Sequence, residues 1–223
     1  QSALGIGLDA RIRGHDGLNT LAQSTDSVGK HFDSVASEYD YWKQKNSYYY
    51  DELKSIVRKW TIGARSVLDV GCGTGAILAQ LTAGRGVGVD LSPEMVALAR
   101  ERNASRKNLS FIASDIADFR PDEPFEVVLF FDVIEHVPNP RPAIAGLRRA
   151  VAPGGRVIVS MANPMWEPVL MLAEKLGLKM PEGPHNRIPA EELIRLAAAE
   201  KLTLRERDWR LLFPKNVPLI SFL

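Results

Sequence analysis

Between residues 64 and 161, two kinds of segment alternate along the chain. Short and nearly continuous apolar runs are typical of buried strands, and the segments between them place apolar residues at helical spacing. The apolar runs predict strands at residues 66–70, 86–90, 109–113, 125–131 and 156–161. Because the fourth run is apolar on both faces, as a buried parallel strand is, we predict a doubly wound α/β fold with a mostly parallel sheet and helices on both faces.

The remaining segments predict helices and two additions to the sheet. Helices are expected at residues 76–82, 93–103, 142–151 and 190–201. Two amphipathic helices within residues 31–60 would form an N-terminal helical cap. Residues 164–188, with a helix at 166–176, would form an insertion after the fifth strand that acts as a lid. A sixth strand is predicted at residues 202–209, whereas the pattern leaves open whether a seventh strand is present.

Composition narrows the classes of protein to consider. Hydrophobic residues are 45% and charged residues 25%, which is typical of soluble globular proteins and excludes disordered, collagen-like and disulfide-scaffold classes. The 28 Lys and Arg residues nearly balance 27 Asp and Glu residues, so no nucleic-acid partner is indicated globally. The single cysteine, Cys72, favours a reducing, cytoplasmic setting. We expect residues 1–30 to be a poorly ordered leader, or alternatively a docked arm, and residues 31–223 to be one domain.

The strongest motif is VLDVGCGTG at residues 67–75. A buried strand runs into Gly71, Gly73 and Gly75, whose backbone can approach a ligand closely. Asp90 ends the next strand, where a carboxylate can accept hydrogen bonds from both hydroxyls of a ribose. Because Ala76 completes a G-x-G-x-x-A fingerprint, an NAD(P)-dependent oxidoreductase is one alternative.

Asp69 distinguishes between two nucleotide-like ligands. It lies two residues before Gly71, where its charge would repel the pyrophosphate of a dinucleotide. S-adenosylmethionine has no phosphate, and its sulfonium and ammonium groups favour a nearby carboxylate. Alternatively, Asp69 accepts hydrogen bonds from the loop's own amides, and the two roles can coexist.

Five motifs in register resemble those of class I S-adenosylmethionine-dependent methyltransferases, in particular the type 11 or ubiquinone-pathway group. They are VLDVGCGTG, GVDLSPEMV at 88–96, SDI at 114–116, FEVVLFFDVIEHVPNP at 125–140 and APGG at 152–155. The resemblance implies a Rossmann-like fold, S-adenosylmethionine as cofactor and S-adenosylhomocysteine as product. It implies cofactor contacts at Asp69, Gly71, Cys72, Gly73, Gly75, Asp90, Leu91, Met95, Asp115, Ile116, Phe131 and Tyr39. Met95 as ordinary core and Asp115 as a turn cap are the alternatives.

His136, after the fourth strand, is the candidate general base, with a purely structural role in the turn as the alternative. The order D-x-x-E-H at Asp132, Glu135 and His136 is similar to the E-x-x-E-H of methyltransferases that bind a divalent metal. These are the ubiquinone-pathway O-methyltransferases and the small-RNA 2′-O-methyltransferases, and His185 could supply a fourth ligand. Since Asp shortens the reach of the first ligand, we expect no metal.

The acceptor is expected to be a small molecule or lipid-like metabolite methylated at O, N or C. Candidate substrate contacts are Tyr48, Tyr49, Trp166 and His185. The insertion and the residues after 209 are unusually apolar, which favours a homodimer face or weak peripheral membrane contact. No basic stripe with interleaved aromatics is present, so we expect no nucleic-acid acceptor. The alternatives are a metal-dependent RNA 2′-O-methyltransferase and a non-catalytic module that binds S-adenosylmethionine.

Overall fold

The computed structural model describes residues 24–45, 47–161, 172, 175, 180 and 188–208. Its α-helices are α1 Thr25–Val35, α2 Tyr39–Lys45, α3 Ser47–Thr61, α4 Pro93–Arg102, α5 Pro140–Ala150 and α6 Ala190–Ala199. Two single-turn 3-10 helices lie at Leu78–Gln80 and Ile134–His136. The strands are β1 Ser66–Val70, β2 Arg85–Asp90, β3 Leu109–Ala113, β4 Phe125–Phe131 and β5 Val151–Ser160.

The five strands form one parallel sheet in the order β3-β2-β1-β4-β5. The chain moves outward from β1 to β3 and then returns to pair β4 with the other side of β1. Ligands of such sheets bind at the carboxyl ends of the strands where the order reverses, here the ends of β1 and β4. The predicted doubly wound parallel sheet is confirmed.

Alternating side chains of the central strands supply a separate core on each face. Leu68 and Phe130 point to the face covered by α5, and Val67 and Leu129 point to the face covered by α3 and α4. Alternation along a strand sends successive side chains to opposite faces. Both faces of β1 and β4 are therefore buried, which explains their nearly continuous apolar sequences.

Two predicted elements are wrong. The helix predicted at residues 76–82 is only the 3-10 turn at Leu78–Gln80; the buried Leu78 and Leu81 have i, i+3 spacing, which suits a 3-10 turn as well as an α-helix. The sixth strand predicted at 202–209 does not form over residues 202–208. Residues 203–208 are exposed, and four consecutive charged residues at 205–208 offer no apolar face to bury.

Three boundaries also differ from the prediction. The cap contains three helices rather than two, because the chain turns between Val35 and Tyr39. The helix α1 begins at Thr25, six residues before the predicted start of the cap helices, with Ser24 and Ser27 in a reciprocal capping box. The strand β5 begins at Val151 and includes the predicted APGG turn, where Gly154 has a φ of +75° and the register with β4 shifts. Most of the predicted insertion lies outside the described residues.

Candidate functional site

The glycine loop turns sharply where β1 ends. Gly71 has a φ of +73°, and its N–H donates to the Val89 carbonyl oxygen at 2.7 Å. A Cβ atom at Gly71 would lie 2.2 Å from Cγ2 of Val133, in the segment that follows β4. Glycine is therefore required here by both the backbone conformation and the close approach of the two strand-end segments.

Asp90 joins this loop to the end of β2. Its Oδ2 accepts a hydrogen bond from the Gly73 N–H at 2.8 Å, and its Oδ1 accepts one from the Ser92 N–H at 3.0 Å. Burial raises the pKa of Asp90, while these two hydrogen bonds act in the opposite direction. Each carboxylate oxygen retains further acceptor capacity, so the geometry fits the predicted ribose contact.

Asp69 is the most deeply buried acid of the site, with 1% of its surface exposed. Its Oδ2 has no hydrogen-bond partner among the described residues. Burial raises the pKa of Asp69 to about 7, and the nearby Lys43 charge opposes that rise. Buried carboxylate oxygens are normally satisfied, and hydrogen bonds from the loop's own amides do not account for Oδ2. A ligand that brings a positive charge or a donor would satisfy it.

The helix α2 covers the glycine loop from the cap side. A Cβ atom at Gly73 would lie 3.0 Å from Cε1 of Tyr39, so the Tyr39 ring rests directly on the loop. Asp40 fixes the helix in place, because its Oδ1 accepts a hydrogen bond from Thr74 Oγ1 at 2.9 Å and Arg102 forms an ion pair with its other oxygen. The predicted placement of Tyr39 at the cofactor loop therefore fits the structure.

Lys43 is a site residue that the sequence reasoning missed. Its Nζ lies 4.3 Å from the centroid of the Tyr39 ring and 5.1 Å from that of Tyr50. Burial lowers the pKa of Lys43 to about 8, against the attraction of nearby carboxylates that include Asp69 and Asp132. The one signal in the sequence was its i, i+4 spacing from Tyr39 on the cap helix.

Asp132 follows β4 and is held by side chains from two other elements. Its φ of +54° is unusual for a residue other than glycine, and such conformations concentrate at functional sites. Tyr49 Oη donates to Asp132 Oδ2 at 2.5 Å, and Ser160 Oγ donates to Oδ1 at 2.7 Å. Burial and the Asp132 charge raise the pKa of Tyr49 well above its ordinary value, so its hydroxyl stays protonated. Ser160, at the end of β5, was also missed.

The His136 ring is nearly enclosed, with 8% of its residue surface exposed. It packs edge-on against Phe32 of α1, with the ring centroids 5.3 Å apart. The cap thus covers the candidate base as well as the glycine loop. Among the described residues, no cluster of three or more His, Cys, Asp or Glu side chains could hold a metal ion. The fourth suggested ligand, His185, lies outside that part of the chain.

Most of the other predicted cofactor contacts lie in the core, and Asp115 lies in a turn. Cys72, Met95, Ile116 and Phe131 are buried in the core, and burial raises the pKa of the Cys72 thiol well above its ordinary value. Asp115 caps the turn after β3, since its Oδ1 accepts a hydrogen bond from the Ala117 N–H at 2.8 Å. Their contacts with a cofactor stay predictions, as does that of Leu91. Trp166 and the Tyr48 side chain lie outside what the structure describes.

Comparisons with known proteins agree with this geometry. The methyltransferase domain family matches residues 68–159. The chain is 34% identical over 173 residues to a ubiquinone biosynthesis O-methyltransferase of Thiobacillus denitrificans, covering 70% of this chain and 74% of that protein. It is 33% identical to that of Aeromonas salmonicida over 64% of each chain, so it spans under two thirds of that relative's length. The N-methyltransferase NodS of Bradyrhizobium japonicum with S-adenosylhomocysteine shares the fold, with a TM-score of 0.61, 20% identity and coverage of 77% and 85%.

Proposed function

The chain belongs to the class I S-adenosylmethionine-dependent methyltransferase family, and from that membership we propose that it methylates a hydroxyl oxygen of a small, lipid-like acceptor. The choice of oxygen follows the ubiquinone biosynthesis O-methyltransferases among its relatives. Methylation at nitrogen or carbon is the alternative, and identification of the methylated product distinguishes the three possibilities.

The unpartnered Oδ2 of Asp69 is the observation that carries the cofactor half of this proposal. An acid so deeply buried fits a ligand that is positively charged and free of phosphate, because Coulomb attraction is strong where water is excluded. A pyrophosphate beside the ionised carboxylate would be repelled. We therefore set the dinucleotide alternative aside.

The chain's residues would divide the binding of the cofactor between them. Asp69 would accept from its charged amino-acid end, Asp90 from the ribose hydroxyls, and the Tyr39 ring would cover the methionine portion above Gly73. Contacts of Leu91, Met95, Asp115, Ile116 and Phe131 with the adenosine remain part of the proposal. When bound, S-adenosylmethionine supplies an electrophilic methyl group, so the protein's main tasks are to position the acceptor and exclude water.

On the acceptor side, Asp132 would bind the acceptor and His136 would take the proton of its hydroxyl group. Hydrogen bonds from Tyr49 and Ser160 orient the Asp132 carboxylate, so it is suited to hold the acceptor. The neutral imidazole has a nitrogen that can accept a proton, and His136 is shielded from water by Phe32. Trp166, Tyr48 and His185 are proposed to line the remainder of the acceptor site.

The many apolar residues in the sequence of the insertion and after residue 209 lead us to propose that these segments bind the acceptor's lipid-like portion. Among the described residues, no helix is long and apolar enough to cross a membrane. A weak peripheral membrane contact and a homodimer remain proposals of the same kind. Either would be detected by sedimentation, with anionic liposomes in the first case and alone in the second.

Two measurements on the purified protein test the proposed function. Calorimetric titration should show binding of S-adenosylmethionine and S-adenosylhomocysteine and none of NADH. Incubation with methyl-labelled cofactor and a panel of prenylated catechols, with lipid extracts alongside, should give a labelled O-methyl product identified by mass. Binding of NADH without S-adenosylhomocysteine would overturn the family role. Binding of both cofactor forms without any labelled product would favour the non-catalytic module.

A further inference from the structure

The site contains a positive charge of its own. Lys43 Nζ lies over the rings of both Tyr39 and Tyr50, at 4.3 and 5.1 Å from their centroids. Carboxylates from the ends of three strands act electrostatically on it, namely Asp69 from β1, Asp90 from β2 and Asp132 after β4. In the ligand-free chain, one lysine therefore supplies the cation that this acidic, aromatic-lined site requires.

We propose that Lys43 stands in for the cofactor's sulfonium charge in the ligand-free protein and thereby sets its preference between the cationic cofactor and the product, whose sulfur is uncharged. This inference rests on the proposed function, because it concerns the two ligands of the methyl-transfer site. It assigns to Lys43 a specificity-determining role rather than a catalytic one.

The reasoning is electrostatic. The cofactor and its product share the same adenosine, ammonium and carboxylate groups, and they differ in one methyl group and one positive charge. Two cations a few ångströms apart repel each other where water is excluded. When the sulfonium ligand is bound, the Lys43 ammonium must therefore lose its proton or swing away, whereas the uncharged sulfur of the product imposes neither change.

The surroundings of Lys43 make both responses feasible. The backbone of α2 is fixed by the contacts of Asp40 with Thr74 and Arg102, so the change falls on the flexible lysine side chain. Burial lowers the pKa of Lys43 to about 8, so loss of its proton near neutral pH requires little free energy. The titratable groups that face it are Asp69, Cys72, Asp90, Asp132, Tyr39 and Tyr50.

The test measures the Kd of S-adenosylmethionine and of S-adenosylhomocysteine by calorimetry for the wild type and three variants. Lys43→Met removes the charge and keeps the length of the side chain, and Lys43→Arg keeps the charge. Lys45→Met is the matched control, since Lys45 lies on the same helix with its Nζ 4.7 Å from the Trp42 ring centroid.

At pH 7.5, Lys43→Met should improve the affinity for the cofactor relative to the product by up to about fourfold, because removing the proton from a group with a pKa of about 8 costs a factor of about four at that pH. Lys45→Met should leave the ratio of the two Kd values unchanged within error. Lys43→Arg cannot lose its charge, so it should lower the affinity for the cofactor relative to the product. If Lys43→Met still bound both ligands with an unchanged ratio of Kd values, the proposed role of Lys43 would be wrong and the proposed function would stand. If the wild type bound neither ligand, the proposed function would fail together with it.

A second measurement does not depend on the folding of a variant. As the pH rises from 7 to 9, Lys43 loses its charge, and the wild type should shift its preference toward the cofactor. Ionisation of Asp69 favours both ligands, since both carry an ammonium group, and it therefore contributes less to the ratio. A ratio that stays constant over this range would contradict the proposal.

Discussion

The carboxyl edge of the sheet and the helical cap contribute opposite chemistry to one site. The sheet edge supplies carboxylates, Asp69, Asp90 and Asp132, and the first two have pKa values raised by burial. The cap supplies the cation Lys43 and the tyrosine rings around it. Each region presents side chains that would be poorly accommodated without the other, so the site exists only where the two are joined.

The sheet edge and the cap are also held in place by different interactions. The acids of the sheet edge are fixed by strand pairing and by the two cores. In the cap, α3 packs into one of those cores, whereas α1 and α2 are joined to the edge by side-chain bonds such as those of Asp33 with Ser92 and of Asp40 with Thr74. We therefore expect substitutions at the sheet edge to change both stability and binding, and substitutions of the polar cap side chains that face the site to change binding or turnover with little effect on folding.

The largest effect is expected from Asp69→Asn. Loss of a charged acceptor should weaken S-adenosylmethionine binding about 10- to 100-fold, since a hydrogen bond to a charged group contributes about 1.5–3 kcal/mol. The ligand-free protein should become more stable. Folding raises the pKa of Asp69 from 3.8 to about 7, so the native state holds more protons than the unfolded state over this interval, and the wild type loses stability as the pH rises through it.

Thermal unfolding at several pH values checks this prediction. The stability gain of Asp69→Asn should be small near pH 4 and reach on the order of 4 kcal/mol above pH 7. Asp118→Asn, at an exposed position after β3, is the control and should change neither stability nor affinity. A destabilised Asp69→Asn protein at pH 8 would mean that the carboxylate is satisfied in the ligand-free state, contrary to its unpartnered Oδ2.

An intermediate effect is expected from Tyr49→Phe, where the cap meets Asp132. Removal of the hydroxyl deletes the 2.5 Å hydrogen bond to Asp132 Oδ2, so the carboxylate loses one of the groups that orient it. Labelled methyl transfer to the acceptor should slow about tenfold, consistent with the loss of one positioning contact. The Kd for S-adenosylmethionine should change little, because the Tyr49 hydroxyl contacts the post-β4 segment and not the glycine loop.

Tyr41→Phe is the matched control for this substitution, since the Tyr41 ring lies in the cap with 62% of its residue surface exposed. It should leave both the rate and the Kd unchanged. Equal rates in wild type and Tyr49→Phe would show that the cap serves the cofactor alone, and the proposed role of Asp132 in holding the acceptor would then be wrong.

The difference between the two regions also explains how far the sequence was informative. The strands and the glycine loop follow from short contiguous patterns, since a run such as residues 125–131 is buried on both faces and Gly71 must turn sharply. Asp69 and Asp90 could be selected because they lie at strand ends, which parallel topology brings to one edge. The chemistry of the sheet edge was thus predictable from local spacing.

The cap could be predicted only as amphipathic helices, because its role depends on contacts distant in sequence. Tyr49 bonds to Asp132 across 83 residues, and neither the spacing nor the composition of α3 indicates that partner. Lys43 has the same character, since a lysine on a half-polar helix is most often solvated. The prediction of a sixth strand was wrong for the same reason. Apolar alternation at Leu202 and Leu204 gives a strand only where one face can be buried, and Leu204 is 54% exposed.

The smallest effect is expected from Asp40→Ala, which loosens the attachment of α2 to the glycine loop. Asp40 accepts a hydrogen bond from Thr74 and pairs with Arg102, and both side chains of that ion pair are about one-third exposed. Solvent screening therefore limits the ion pair to well under 1 kcal/mol, and the hydrogen bond adds about 1 kcal/mol. The Kd for S-adenosylmethionine should rise about three- to tenfold, while the thermal unfolding temperature changes by only a few degrees. Asp51→Ala, which removes an exposed pair with Lys54 on α3, is the control. If Asp40→Ala weakened binding no more than Asp51→Ala, the position of Tyr39 and Lys43 over the loop would depend on the packing of the cap and not on this attachment.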